Sequence, residues 1–391
     1  MFENGIAHFF QHIVYKGTRN RSKQALEAQM TCTGAQFKAF TEKELVGYYA
    51  ECLLEDLPLI VDILSDCIFQ NALNPFEIEV AKSVAYLEMM DHDEDTNEIL
   101  MDYLHGAAFH GTPLAQSVLG PSTNLYNFTE ATIAQYMRQN FDPTRTVLVA
   151  VGGATHQCVH DLGALYLNHL QPAKCADYVY RFSCGDFRYR NDDLPFANVA
   201  IAFEAPNFCH SDAYVLDMAT TFIGGWDASM PRGNLPAPMC ARAAATGMAD
   251  AYKSFYFKYK DTGLWGIQYT APKLHADDFL YNLQQQCVKL CLSLTRVELE
   301  RARNEYITSL VTELDTLPGA CKDLARWFLF YGQRPSTLDR VTEYQFVKLD
   351  RVRELCEELI YDRSPVVAAV GNIEVVPDYT RIKASNYWLR V

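Results

Sequence analysis

Apolar side chains near the start of the chain recur every three or four residues, which predicts a helix over residues 5–16. Asn4 is suited to begin this helix and Gly17 to end it. The same spacing predicts further helices at about 22–32, 56–70, 75–91, 95–109 and 129–140. The runs "AQFKAFT" and "ELVGYYAEC" are rich in aromatic and β-branched residues and predict two adjacent strands. The run "RTVLVAVGG" predicts a buried strand that ends in glycines.

The second half of the chain repeats part of this pattern. "FEIEVAKSVAYL" resembles "VELERARNEYIT", and "VLVAVGG" resembles "VVAAVGN". The two matches are separated by similar distances, 75 residues from Glu77 to Gly152 and 73 from Glu298 to Gly371. This agreement indicates a duplicated α+β unit, although amphipathic helices can also resemble one another by chance. We expect halves at 1–168 and 187–391, joined by a linker at 169–186.

Composition narrows the classes of protein that fit. The chain has 391 residues, 49% of them hydrophobic, and no apolar run long enough to span a bilayer. A net charge of -14 argues against a nucleic-acid-binding protein and favours a basic ligand. The twelve cysteines show no CxxC spacing, which predicts reduced thiols in an intracellular compartment. No signal peptide or transit peptide is recognisable at the start.

The first predicted helix carries the clearest candidate for chemistry. In "GIAHFFQHIVYKGT", His8 and His12 are four residues apart and share a helix face, where they could bind one zinc ion. The third ligand would be a carboxylate of the 75–91 helix, at Glu79, Glu88 or Asp91. Packed or surface histidines are the alternative, because a bare HxxxH spacing is a weak signal. His156 and His160 have this spacing too, and we expect them on a solvated helix face.

The motif and its surroundings resemble the pitrilysin/insulinase family of zinc metallopeptidases, whose inverted motif is H-x-x-E-H. The resemblance extends through "YLHGAAFHGTPLAQSVLGP", "DTGLWG", "LTRVELERARN" and "YDRSPVVAAVGNIEVVPDYTRI". Within the family it is strongest to the β subunits of mitochondrial processing peptidase and the first core subunits of respiratory complex III. It implies an α+β fold of two homologous halves, each a mixed or antiparallel sheet backed by helices. It also implies one Zn²⁺ ion bound by His8, His12 and Glu88.

Three departures from the family pattern bear on activity. Gln11 stands where the family has the glutamate that serves as general base, and an amide cannot take a proton near neutral pH. Loss of general acid–base catalysis costs about 10²–10⁴-fold in rate. Ala81 stands where active members have a second glutamate that supports the ligands. The family also has two strands and a transit peptide ahead of the motif, so the first half is expected to lack its N-terminal strands.

The resemblance also implies residues on the substrate side. The family's processing peptidases bind basic presequences, and Glu98 and Asp102 match the acidic residues that contact an arginine of the substrate. A solvated acidic face is the alternative for this pair. The remaining implied substrate residues are Tyr15, the edge-strand residues Lys38, Ala39 and Phe40, and Tyr259, which matches a tyrosine that holds the scissile carbonyl. The alternatives are an ordinary core aromatic for Tyr15 and an ordinary strand tyrosine for Tyr259, and the latter is favoured.

These residues leave three functional hypotheses. The chain is a zinc-binding β-type subunit with little or no peptidase activity, an active presequence peptidase, or a structural core subunit of complex III. The resemblance implies a partner, either an α-type processing-peptidase subunit or the second core subunit of complex III. It also implies a mitochondrial location, in the matrix or on the matrix side of the inner membrane. Gln11 and Ala81 favour the first hypothesis over the second.

Overall fold

The computed structural model describes residues 3–168, 170, 172, 178–229 and 243–388. In these ranges the α-helices are Ile6–Ile13 (α1), Lys23–Thr33 (α2), Leu57–Phe69 (α3), Pro75–Glu94 (α4), Thr96–Ala108 (α5), Glu130–Asn140 (α6), His156–Tyr166 (α7), Asp212–Ile223 (α8), Ala276–Leu292 (α9), Arg296–Asp315 (α10), Leu317–Tyr331 (α11), Thr337–Phe346 (α12), Leu349–Ile360 (α13) and Tyr379–Ala384 (α14). The strands are Gln36–Thr41 (β1), Val46–Glu51 (β2), Asp186–Arg190 (β3), Phe196–Ala205 (β4), Gly225–Asp227 (β5), Ala251–Lys258 (β6), Gly263–Pro272 (β7) and Val366–Gly371 (β8). None of the helices in these ranges is both long and apolar enough to cross a bilayer.

The chain forms two compact units whose segments are interleaved in the sequence. The first unit contains Met1–Glu94, Gln116–Tyr178 and Leu314–Arg334, and the second contains Asp95–Ala115, Val179–Glu313 and Pro335–Val391. The predicted halves at 1–168 and 187–391 remain a prediction, and part of the predicted linker at 169–186 lies outside the described residues. The α+β class, with a mixed sheet and backing helices, is confirmed.

The second unit is built on a six-stranded sheet in the order β3-β8-β4-β7-β6-β5. β3 and β8 run parallel, and the other neighbours are antiparallel. β8 consists of small and β-branched residues and is buried along its whole length, because it pairs with a strand on each side. α5 packs on one face of this sheet through Leu100, Leu104 and Ala108, which share a core with Ala200 and Ala368.

The first unit contains a smaller, two-stranded sheet. β1 and β2 pair antiparallel, from Gln36 opposite Glu51 to Thr41 opposite Val46. Phe40 lies across the strand from Gly47, where a β-carbon would be 2.2 Å from the phenylalanine ring. A side chain at residue 47 would therefore displace this aromatic ring. α1, α4 and α6 supply much of the helical core beside this sheet.

The predicted strand at "RTVLVAVGG" is wrong for this structure, because residues 146–151 adopt no strand conformation. Val147 and Val151 are each 37% exposed, whereas the similar run in the second unit is the fully buried β8. β8 is held by hydrogen bonds to β3 and β4, and no strand of the described residues pairs with 146–151. An apolar, β-branched run becomes a strand only where a neighbouring strand accepts its hydrogen bonds.

Candidate metal centre

The start of α1 is held by a close approach of two backbone segments. Gly5 has φ of 94°, and a β-carbon there would lie 2.3 Å from the carbonyl oxygen of Leu119. A side chain at this position would therefore be both strained and in collision with the chain. Asn124 donates a hydrogen bond from its side-chain amide to the carbonyl of Asn4, at 3.0 Å. These contacts set where the helix, and with it both histidines, begins.

The end of α1 is held by a buried asparagine that the sequence reasoning did not single out. Asn71 is 6% exposed, and its amide donates to the carbonyl oxygens of Ile13 and Val14 at 3.1 and 3.0 Å. These carbonyls lie at the end of the helix, where the regular helical hydrogen bonds stop, and the carbonyl of Ile13 also accepts from the backbone N–H of Lys16 at 3.0 Å. The side chain thus satisfies the helix end inside the core.

α1 packs directly on α4, and small residues of α4 make this close packing possible. Phe9 and Ile13 lie in one core with Ala81 and Ala85, which are 3% and 1% exposed. Ala81, the position where active family members are expected to have a glutamate, is therefore a core residue here. A carboxylate placed at this position would be buried among apolar side chains, which is unfavourable without a partner.

The packing of α1 on α4 brings the three predicted zinc ligands together. Nε2 of His8 lies 3.2 Å from Oε1 of Glu88, and Nε2 of His12 lies 2.9 Å from Oε2 of the same carboxylate. The donor atoms of all three residues lie within 4.8 Å of one another. Among the described residues this is the one group of three or more such side chains that could hold a metal ion.

The donor set fits a zinc ion. Nε2 of His12 is buried, has no hydrogen-bond partner among the described residues and lies 2.9 Å from Oε2 of Glu88, so a cation bound between these atoms would satisfy both. Burial lowers the pKa of His8, and the charges of His12 and His92 add to this lowering, while Glu88 acts in the opposite direction. The neutral imidazole that results is the form that binds metal. Two imidazoles and a carboxylate are a common protein ligand set for zinc that carries out hydrolysis.

Gln11 lies on α1 between the two histidines but is directed to a different partner. Its amide nitrogen donates a hydrogen bond to the hydroxyl of Thr41, the last residue of β1. The donor half of the amide is therefore engaged with the small sheet. Thr41 was not predicted as a site residue. It is 30 positions from Gln11 in the chain, and no local pattern connects the two.

Tyr15 contacts β1 at Lys38 and Phe37. Its hydroxyl donates to the carbonyl of Lys38 at 3.4 Å, and its ring contacts Phe37 with centroids 5.7 Å apart. Burial raises the pKa of Tyr15 far above its ordinary value, so the hydroxyl remains protonated. The ammonium of Lys38 lies 3.4 Å from Oε1 of Glu51.

The two other predicted edge-strand residues have separate environments. Ala39 pairs with Tyr48 across β1 and β2. Phe40 packs over Gly47, and the ammonium of Lys322 lies 4.5 Å from its ring centroid. A cation over an aromatic ring at this distance is attractive. Both side chains are apolar, so any hydrogen bonds to a bound peptide would come from the backbone of β1.

The other predicted substrate residues belong to the second unit. Glu98 and Asp102 both lie on α5, four residues apart and thus on one face. Tyr259 follows β6 and is 8% exposed. Its hydroxyl lies 2.7 Å from Nε2 of His105, whose Nδ1 lies 2.7 Å from the carbonyl of Met101. Since Nδ1 must donate to the carbonyl, Nε2 accepts from Tyr259.

The remaining histidine and carboxylate candidates stay outside the metal group. Glu79 is paired with Lys82 at 2.7 Å, and Asp91 is exposed. His156 and His160 are both exposed on α7, as expected for a solvated face. Every cysteine in the described residues is a free thiol, in agreement with the predicted absence of a disulfide framework.

Comparisons with known proteins agree with the fold. The sequence profile described as "Insulinase (Peptidase family M16)" matches residues 2–122, and the one described as "Peptidase M16 inactive domain" matches 127–306. Human "Cytochrome b-c1 complex subunit 1, mitochondrial" is 36% identical over 393 residues, which cover 99% of this chain and 82% of that protein. Human "Mitochondrial-processing peptidase subunit beta" is 34% identical over 395 residues, with coverage of 99% and 80%.

A solved structure supports the same fold. A chain of "Complex III2 from Candida albicans, Inz-5 bound" superposes with a TM-score of 0.86 at 21% sequence identity. The match covers 99% of the present chain and 91% of the other chain. The similarity in architecture therefore extends over both units.

Proposed function

Because the chain belongs to the insulinase family, peptidase family M16, we propose that it is a β-type subunit that binds zinc and cleaves peptide bonds little or not at all. Its role is to bind presequence peptides or to support assembly with a partner subunit. The observation that carries this proposal is Gln11, which lies between intact metal ligands and donates its amide hydrogen to Thr41.

The chemistry at Gln11 explains the expected loss of activity. Zinc supplies a Lewis acid that makes water a stronger nucleophile near neutral pH. A side chain of the protein must still accept the proton from water and pass it to the leaving amine. Gln11 can donate or accept hydrogen bonds but cannot carry that proton, which corresponds to a rate loss of about 10²–10⁴-fold. His8, His12 and Glu88 can hold the metal without this step.

The proposed ligand is a basic, amphipathic presequence. The net charge of -14 favours positively charged peptides, and Glu98 and Asp102 provide two carboxylates on one face of α5. Such a pair can accept a guanidinium group. The backbone of β1, at Lys38 to Phe40, could add hydrogen bonds to an extended peptide.

The proposed partner is an α-type processing-peptidase subunit or a second core subunit of complex III, and the proposed place is the mitochondrion. Two kinds of relative support this proposal, a processing-peptidase β subunit and a cytochrome b-c1 subunit. Both of their names contain the word "mitochondrial". The chain is 36% identical to one relative and 34% identical to the other, so the two partners remain alternatives.

The test compares peptide binding with peptide cleavage. The full chain is purified with an α-type partner and incubated with a fluorescent presequence peptide, beside a relative that has glutamate at the position of Gln11. We expect binding by both, with cleavage by this chain at least about 100-fold slower. Glu98→Gln combined with Asp102→Asn should weaken binding, whereas Glu79→Gln, an exposed site on α4, serves as the matched control.

Cleavage at a rate close to that of the glutamate-containing relative would contradict the proposal and favour an active peptidase. A structural core subunit of complex III is the second candidate, favoured by the 36% identity to cytochrome b-c1 complex subunit 1. It predicts association with the other respiratory subunits but no measurable binding of the presequence peptide.

A further inference from the structure

One face of α4 continues past the predicted ligand Glu88 and carries a histidine, His92. Ala81, Ala85, Glu88 and His92 follow one another at intervals of four, three and four residues, which places all four side chains along one stripe of the helix. This is the stripe that packs against α1, because Ala81 and Ala85 share a core with its apolar residues. His92 is half-buried, and its Nδ1 atom is buried.

Each of the two helices thus carries a pair of side chains of the types that bind metals. His8 and His12 are four residues apart on α1, and Glu88 and His92 are four apart on α4. Side chains at this spacing can bind one ion together. Packed helices that each present such residues toward the other build four-ligand metal sites in helical proteins.

His92 also lies within electrostatic reach of the group formed by His8, His12 and Glu88. Its charge is among the causes that lower the pKa of His8. Its ring lies outside the set of donor atoms within 4.8 Å of one another, which contains His8, His12 and Glu88. Rotation about its two side-chain torsions is therefore needed to bring a ring nitrogen to the metal. One helix turn separates His92 from Glu88, so their β-carbons are about 5–6 Å apart. This spacing allows the two side chains to reach the same ion.

We propose that His92 is a fourth protein ligand of this metal centre, so that three imidazoles and one carboxylate surround the ion. This inference rests on the proposed zinc binding by His8, His12 and Glu88. A zinc ion with four protein ligands is typical of structural sites, whereas hydrolytic sites keep one position open. A filled fourth position gives the chain a second cause of inactivity, independent of Gln11.

X-ray absorption spectroscopy of the full chain loaded with zinc counts the imidazole ligands directly. We expect three imidazoles and one carboxylate oxygen at tetrahedral distances of about 2.0–2.2 Å. Two imidazoles with additional oxygen ligands would overturn the role of His92 while leaving the three-ligand centre in place. Failure of the chain to bind zinc would overturn the proposed metal centre itself, so the two results are distinguishable.

A pair of variants provides a second measurement that needs no activity. His92→Phe removes the ring nitrogens and retains an aromatic side chain, and His156→Phe makes the same change at an exposed site on α7. Zinc affinity is measured by competition with a chelator, after circular dichroism has shown that both variants fold. We expect His92→Phe to weaken zinc binding by at least about 10–100-fold. Equal zinc affinities in the two variants would contradict the proposal.

Activity then separates the two causes of inactivity. Gln11→Glu alone should remain inactive because the fourth position is filled, and Gln11→Glu with His92→Phe should gain cleavage of the presequence peptide. Strong cleavage by Gln11→Glu alone would show an open position and overturn the role of His92. In that case the loss of the base at Gln11 would explain the inactivity by itself.

Discussion

Zinc should stabilise the folded chain, and Glu88→Gln should remove most of that stabilisation. The Glu88 carboxylate contacts both histidines, with distances of 3.2 Å to His8 and 2.9 Å to His12. The glutamine variant retains the size of the side chain but loses its negative charge and one of its two acceptor oxygens. All three ligands of the metal would then be neutral, which makes binding of a divalent cation much less favourable.

The magnitude follows from linkage between binding and folding. At a free zinc concentration of about 100 times the dissociation constant, binding to the folded state adds about 2.7 kcal/mol to the free energy of unfolding. If Glu88→Gln weakens zinc binding about 100-fold, the same concentration equals the new dissociation constant, and only about 0.4 kcal/mol remains. Without zinc the variant should change stability by about 1 kcal/mol or less, because the Glu88 side chain is 45% exposed.

The assay is urea unfolding with zinc at a buffered concentration and again with EDTA. Glu79→Gln is the control, since Glu79 lies on the same helix, is 70% exposed and contacts Lys82. The zinc-dependent shift of the midpoint should persist in the control and nearly vanish in Glu88→Gln. Equal shifts in the two variants would refute the three-ligand centre, because the bound zinc would then lie elsewhere.

Three further predictions concern single residues within the units. Asp217→Asn should reduce the free energy of unfolding by roughly 3–5 kcal/mol in urea titrations, because it leaves the ammonium of Lys258, 2.7 Å away, without its buried counter-charge. Cys32 is exposed and should react with a thiol reagent at pH 8, whereas burial raises the pKa of Cys67 to about 12 and should protect it until the chain unfolds. Burial alone would raise the pKa of Glu298, but hydrogen bonds from Lys289 and Thr295 outweigh it and lower that pKa. Glu298→Gln should therefore destabilise the chain at pH 7, with a difference that disappears as the pH falls through the lowered pKa of the native carboxylate.

Local pattern was sufficient to predict the helix that carries His8 and His12 and the helix that packs against it. The apolar spacing around His8 and His12 is strong, and the helix at Ile6–Ile13 forms where it was predicted. The 75–91 helix was also predicted correctly and runs to Glu94. The choice of Glu88 among the carboxylates came from resemblance to the family, and the structure brings this residue together with both histidines.

Other features depended on neighbours that no local window of sequence contains. The run at 147–153 is almost as apolar and β-branched as β8, yet only β8 has strands on both sides and becomes a buried strand. The hydrogen bond from Gln11 to Thr41 joins residues 30 positions apart, and the Asn71 contacts with the end of α1 join residues 57 and 58 apart. His92 could have been noticed from its spacing with Glu88, but that spacing has meaning only once α1 is known to pack on this face.

The sequence by itself thus determined the family, the α+β class, the amphipathic helices and the residue types able to bind zinc, because each depends on side-chain chemistry or on a short repeating pattern. Tertiary structure alone decided which apolar run becomes a strand and that Ala81 lies in the core, and it brought the carboxylate that the family resemblance indicated to the two histidines. The physical reason is that coordination, hydrogen-bond pairing and burial are properties of groups distant in the chain. They exist only after packing has brought those groups within a few ångströms of each other.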